Sequence, residues 1–116
     1  MASISNDAFF DGVNLSNVTI GKSVEVIGRN SFRNCTALKS VKIPSSVLKI
    51  DMSAFSYAGL SSVVIPDSVT ELGSSAFAGC TNLGSVKLGK NLISVNDQTF
   101  ENCTSLKEIN LKNITK

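Results

Sequence analysis

The sequence predicts a repeat solenoid, α/β or mainly β. It reads as a right-handed coil of about five ~23-residue copies, with a parallel sheet on a shallow concave side and short strands and helical or 3₁₀ turns elsewhere. Three observations carry this. Phenylalanines stand at Phe9, Phe32, Phe55, Phe77 and Phe100, in steps of 23, 23, 22 and 23 residues. Further apolar columns keep the same register, among them Ile4, Ile27, Ile50, Leu72, Val95 and Leu15, Leu38, Leu60, Leu83, Leu106. Short alternating segments such as Ser40-Val41-Lys42-Ile43 stop at Pro44, Pro66, Gly21 or Gly89, as half-buried strands closed by turns do.

Each copy divides into three pieces. The first is a strand carrying the column Val18, Val41, Val63, Val86, Ile109 and the column Ile20, Ile43, Ile65, Leu88, Leu111. A second alternating piece follows, Ser46–Ile50 in one copy and Ser68–Leu72 in another. The third, such as 29–34, carries one aromatic among polar residues. It is too short for an independent helix and reads as a single helical or 3₁₀ turn that drops its Phe into the core. One copy cannot bury its apolar residues alone, but stacking turns each column into a ladder, with strands paired in parallel about 4.8 Å apart. The single shortened step falls within Ser56–Gly59. The repeats run approximately over 4–26, 27–49, 50–71, 72–94 and 95–116, within one domain.

A chain of 116 residues can build a core without staples. Charged residues make up only 17%, and the formal charge of +2 is too small to argue for nucleic acid or a membrane surface. No apolar run reaches membrane-spanning length. The opening MASISNDAFF lacks a basic segment followed by a long apolar one, so no signal peptide is read there. An intracellular chain and one whose leader was removed fit equally.

The pattern I-G-x-x-(S/A)-F-x-x-C-x-x-L-x-x-V-x-I-P-x-S-V, clearest in the copies starting at Ile27 and Leu72, resembles the BspA-like, treponemal-type leucine-rich repeats. The likeness spans Ile4 to Leu111. It departs from the pattern where Gly12 and Ala58-Gly59 replace the Cys and Gly21 replaces the Pro. Bacteria and parasitic protists carry such repeats on large surface proteins. The resemblance therefore implies a non-catalytic protein-interaction module from a surface or adhesion-type protein, on the cell surface or secreted, with a host or extracellular protein as partner.

Catalysis finds no support in the residues. Cys35, Cys80 and Cys103 share one column with Gly12 and Ala58, a position that wants a small, mostly apolar side chain. The count is odd and the chain has no histidine, which argues against a disulfide framework, a zinc site and a Ser-His pair. Asp51, Asp67, Glu71 and Asp97 are scattered and form neither a carboxylate pair nor a calcium loop. No cofactor or metal is expected, and the chain is read as no enzyme. Of the sequons at Asn14, Asn17, Asn34, Asn102 and Asn113, those at Asn34 and Asn102 are by-products of the repeat consensus, and none is assigned a role.

What the packing code leaves free is the outward side of the first strands. The candidate partner-binding residues there are Lys39, Ser40, Lys42, Ser62, Val64, Ser85, Lys87, Lys107, Glu108 and Asn110. Small side chains permit close approach, and lysines favour an acidic protein partner. Nucleic acid is not expected on a face without aromatics. An alternative places function at the ends. Uncapped coils would expose Phe9 or Phe10 at one end and Phe100, Leu106, Ile109 and Leu111 at the other, so the unit would stack on itself as a dimer or filament.

Overall fold

The phenylalanine column is a continuous stack of rings in the computed structural model, which describes residues 2–95 and 98–109. Successive ring centroids from Phe9 to Phe100 lie 5.4, 5.1, 5.3 and 5.7 Å apart, and neighbouring planes differ by 15° at most. Phe32, Phe55 and Phe77 are wholly buried. We number the coils 1 to 5 by these rings. Ile27, Leu38, Val47, Ile50, Leu60, Val69 and Leu83 pack around the stack, so the sequence columns are the core.

Among the described residues, seven short strands follow the chain: β1 (Ala2–Ile4), β2 (Val24–Ile27), β3 (Lys49–Ile50), β4 (Ser62–Val64), β5 (Glu71–Leu72), β6 (Ser85–Lys87) and β7 (Glu108–Ile109). They form two parallel sheets, in the orders β1-β2-β3-β5 and β4-β6-β7. Register follows the columns, with Ile27 opposite Ile50, Ile50 opposite Leu72, Val63 opposite Val86 and Val86 opposite Ile109. Two expectations change. The second piece of each copy pairs over fewer residues than its alternation predicted, because its first half is a turn: Val47 N–H donates to Pro44 O and Val69 N–H to Pro66 O, each at 3.1 Å. The first strands of coils 1 and 2 are reduced to one isolated bridge, Thr19 with Lys42.

The Phe-bearing segments are not helical turns. Their N–H groups alternate between two kinds of acceptor. In coil 2, Ser31, Arg33 and Cys35 donate three residues back, to Gly28, Asn30 and Phe32, each at 3.2 Å. The N–H groups between them go to the next coil: Asn30 to Met52 O, Phe32 to Ala54 O and Asn34 to Ser56 O, at 2.8–3.1 Å. A helix needs consecutive N–H groups for itself, so 3₁₀-type bonds occur here singly and never propagate. The alternation also needs left-handed residues. Positive φ recurs two residues before and after the ring, at Asp7 and Asp11, Asn30 and Asn34, Ser53 and Tyr57, Ser75 and Gly79. Each is the third residue of a hydrogen-bonded turn, where type II geometry demands φ above zero, and Asn and Asp tolerate it best.

The contraction lies between Ala58 and Leu60, where Gly59 replaces the two residues found in the other coils. Gly59 N–H reaches back to Cys35 O at 3.2 Å, and a Cβ built on it would stand 2.2 Å from Thr36 O. Only glycine allows coil 3 to press so closely on coil 2.

Three substitutions test this packing. Phe55→Ala, which empties the middle of the stack, lowers unfolding stability by about 3–5 kcal/mol in urea titrations. Phe9→Ala, on a ring 46% exposed, costs no more than about 2 kcal/mol. Gly59→Ala costs about 1–3 kcal/mol through overpacking against the Thr36 carbonyl, and an unchanged urea midpoint would contradict this account of the contraction.

Candidate interaction face

The Val-column strands present alternate residues to solvent because the residues between them are anchored inward. Val63 and Val86 are buried, which turns Ser62, Val64 and Lys87 outward, all exposed, with Ser85 half-buried. Lys39, Ser40, Lys42 and Lys107 are exposed as well. Val64, at 59% exposure, is an apolar residue in the middle of this face. Glu108 pairs with Ser85 through β7, while its side chain, Asn110, Leu111, Asn113 and Asp97 fall outside the described residues. Among the described residues, Lys39, Lys42, Lys87 and Lys107 make no ion pair. The pair that does form, Lys49 with Glu71 at 3.6 Å, lies on the other sheet and is solvent-exposed, so its contribution is small.

One feature of this face was not legible from repeat spacing. Coils 2 and 3 are joined at Ser61 N–H to Lys39 O, 3.0 Å, and meet again where β3 pairs with β5 and Thr70 N–H donates to Leu48 O. Between those points, no strand pairing joins 40–43 to 62–64 among the described residues. A groove of about 410 Å³ lies there, lined by Ser40, Val41, Lys42 and Ile43 on one side and Ser62, Val63 and Val64 on the other. A second, of about 340 Å³, lies between Val18–Lys22 and Lys42 with Pro44. Lys42 lines both. The missing residue is visible in the sequence, but spacing alone does not say which segments of neighbouring coils pair.

The cysteines are built into the core as donors. Cys35 Sγ–H donates to Phe9 O at 3.2 Å, Cys80 to Phe55 O at 3.1 Å and Cys103 to Phe77 O at 3.1 Å. Each thiol therefore ties its coil to the Phe carbonyl of the coil before it, a reason for Cys over Ala that size alone does not give. All three are free, with Cys35 and Cys80 buried and Cys103 half-buried. Burial pushes each thiol up, and the neighbouring Cys103 adds to the effect at Cys80, which rises from 9.0 to about 12. Thiols so held are poor nucleophiles. No group of three metal-ligating side chains occurs among the described residues, and no helix among them is long and apolar enough to cross a membrane.

Tyr57 was missed by column reasoning. It occupies a position held elsewhere by Asp11, Asn34, Gly79 and Asn102, takes a φ of 61°, and lies 48% exposed. The Arg33 guanidinium sits 5.7 Å from its ring centroid, and the space of a Cβ at Gly79 is filled by the same ring. Glycine at that position is what lets the ring lie down.

Disulfide-exchange reagents at neutral pH will modify Cys103 first and leave Cys35 and Cys80 unmodified until the chain is denatured. A thiol that ionises near 9 unfolded but near 12 folded contributes fully below pH 9 and loses that contribution as pH rises towards 12. Stability therefore falls over that interval, and Cys80→Ala makes the fall shallower while lowering stability at pH 7. Equal slopes for the two proteins would refute the assignment.

The model of the BspA type leucine rich repeat region matches residues 2–116 in six copies, where the apolar columns count about five. A leucine-rich repeat protein from Bacteroides ovatus is 29% identical over 92% of this chain and 34% of its own, with a TM-score of 0.73. The Treponema pallidum leucine rich repeat protein is 28% identical over 94% of this chain and 62% of its own, with a TM-score of 0.67. A leucine rich cell surface protein from Faecalibacterium prausnitzii shares the fold at 22% identity, covering 90% of this chain and 44% of its own, with a TM-score of 0.68. This chain thus spans less than two thirds of each of these proteins. No significant match was found among curated proteins. With its ring stack, its parallel strands and a family match running over nearly its whole length, the chain belongs to the BspA-type leucine-rich repeat family.

Proposed function

We propose that this domain is a non-catalytic protein-binding module that receives an acidic protein surface on its lysine-bearing strand face, as part of a surface or adhesion-type protein. The observation that carries the reading is the set of four exposed lysines, Lys39, Lys42, Lys87 and Lys107, with no ion pair among the described residues. Unpaired cations on a face of small side chains favour encounter with negative charge and allow close approach. Ser40, Ser62, Ser85 and Val64 supply the contact surface between them, and Glu108 and Asn110 complete the proposed set in coil 5. The family typically serves binding rather than catalysis, and the surface location rests on that membership and on the kind of protein that shares the fold.

A second reading is favoured by coil 1. Phe9 stacks on Phe32 with one face, yet Phe9 and Phe10 are each 46% exposed and Val13 53%. They border an open hollow of about 500 Å³. At the other end Phe100, Leu106 and Ile109 are half-buried against the core, so exposure there is smaller than a bare end would give. Stacking of a second coil on coil 1 would cover this surface and give a dimer or filament.

The first reading is tested with immobilised poly-L-glutamate at low salt. Lys42→Glu with Lys87→Glu takes the formal charge from +2 to −2 (two units per substitution) and should abolish retention without altering the urea midpoint. Arg29→Glu with Lys90→Glu makes the same change in net charge away from this face and should retain most binding. Equal losses for both pairs would reduce the effect to net charge. Light scattering over a dilution series tests the second reading, which a concentrated monodisperse monomer would exclude.

A further inference from the structure

We infer that the strand face takes its partner at one place, the groove between coils 2 and 3, and that the occupant is an extended peptide segment with an apolar residue flanked by carboxylates. The inference rests on the binding reading above and narrows it. In an evenly spaced array no coil would differ from another, and charge alone would spread a ligand over the whole face. Here the coils differ. At the contraction Gly59 packs against the coil 2 main chain, Ser61 N–H reaches Lys39 O, and immediately beyond that pin the strand segments 40–43 and 62–64 share no pairing among the described residues. The opening of about 410 Å³ is large enough to hold a few side chains.

Its chemistry is asymmetric in a way that selects the occupant. The floor is the valine column, Val41 and Val63, and Val64 stands on the rim at 59% exposure, the one large apolar side chain exposed on this face among the described residues. An apolar side chain laid beside it removes both from water. Lys42 lines this groove and the one next to it, Lys39 stands at its pinned end, and no acidic residue lines either groove. A carboxylate on each side of the apolar residue meets this charge, whereas a basic segment would be repelled. An extended backbone suits a trough running along two strands, and the hydroxyls of Ser40 and Ser62 are small enough for it to approach.

The probe is a phage-displayed library of random peptides, panned on the whole domain. Enriched peptides should carry an apolar residue between Asp or Glu residues. Their binding should fall by about tenfold or more with Lys42→Glu and with Val64→Lys, and by less than about threefold with Lys107→Glu. Amide shifts in nuclear magnetic resonance titrations should concentrate at 40–43 and 62–64. Urea midpoints confirm that each variant folds, which is expected because Lys42, Val64 and Lys107 are exposed. Loss of binding in the Lys42→Glu/Lys87→Glu pair but full binding by Val64→Lys would overturn the groove and leave the strand-face reading standing. Peptides indifferent to both, neutral or basic enriched peptides, or no enrichment would overturn both.

Discussion

Five phenylalanine rings, one from each coil, lie nearly parallel at spacings of 5.1 to 5.7 Å, and this spacing is imposed on everything else. A ring stack this close fixes coil separation near the strand-to-strand distance, so main-chain ladders can form on either side of it. The turn segments serve that spacing directly. Every second N–H in them is donated to the next coil, which requires a residue at positive φ on each side of the ring. The thiols of Cys35, Cys80 and Cys103 donate to Phe carbonyls of the preceding coils and so add a bond at the stack itself. Packing, hydrogen bonding and backbone conformation are therefore one constraint seen at three levels.

The columns made the core readable before any coordinates. Ile27 with Ile50 and Val63 with Val86 were aligned by spacing, and they are paired in space, because one coil of parallel repeat is one step along a ladder. The turn segments were less legible. A short polar run with one Phe resembles a helical turn, and only the lateral demand for N–H groups excludes it, a tertiary effect with no local signature. The recurrence of Asn and Asp beside the ring was the available clue, but Ser53 and Tyr57 take the same conformation and hide it. At the interaction face, outward lysines followed from alternation, while the split beside Lys42 did not. It lies a few residues beyond the deletion at Gly59, and spacing locates the deletion without saying which segments pair.

Family membership fixes the architecture and says little about what a particular member holds. In this chain the departures from the repeat are therefore the informative places. Two of them fall in coil 3: Gly59, which shortens it, and Tyr57, whose ring rests over Gly79 with Arg33 beside it. Val64 is in the same coil. Coil 3, the one coil that is shortened, thus carries several of the features that distinguish this domain from a uniform array.

The missing thiol at Ala58 has a mechanical meaning. In the other coil joints a thiol from the next coil bonds the Phe carbonyl, but Ala58 has none to offer, so among the described residues Phe32 O receives the Cys35 N–H alone. Among the described residues, the same joint has no strand pairing between 40–43 and 62–64. A stack whose contacts reach only from one coil to the next transmits tension joint by joint, and its strength is that of its weakest joint. Under tension along the axis, the thiol bond missing between coils 2 and 3 is not made up by bonds elsewhere in the stack, and that joint relies on its ring contact and its turn bonds.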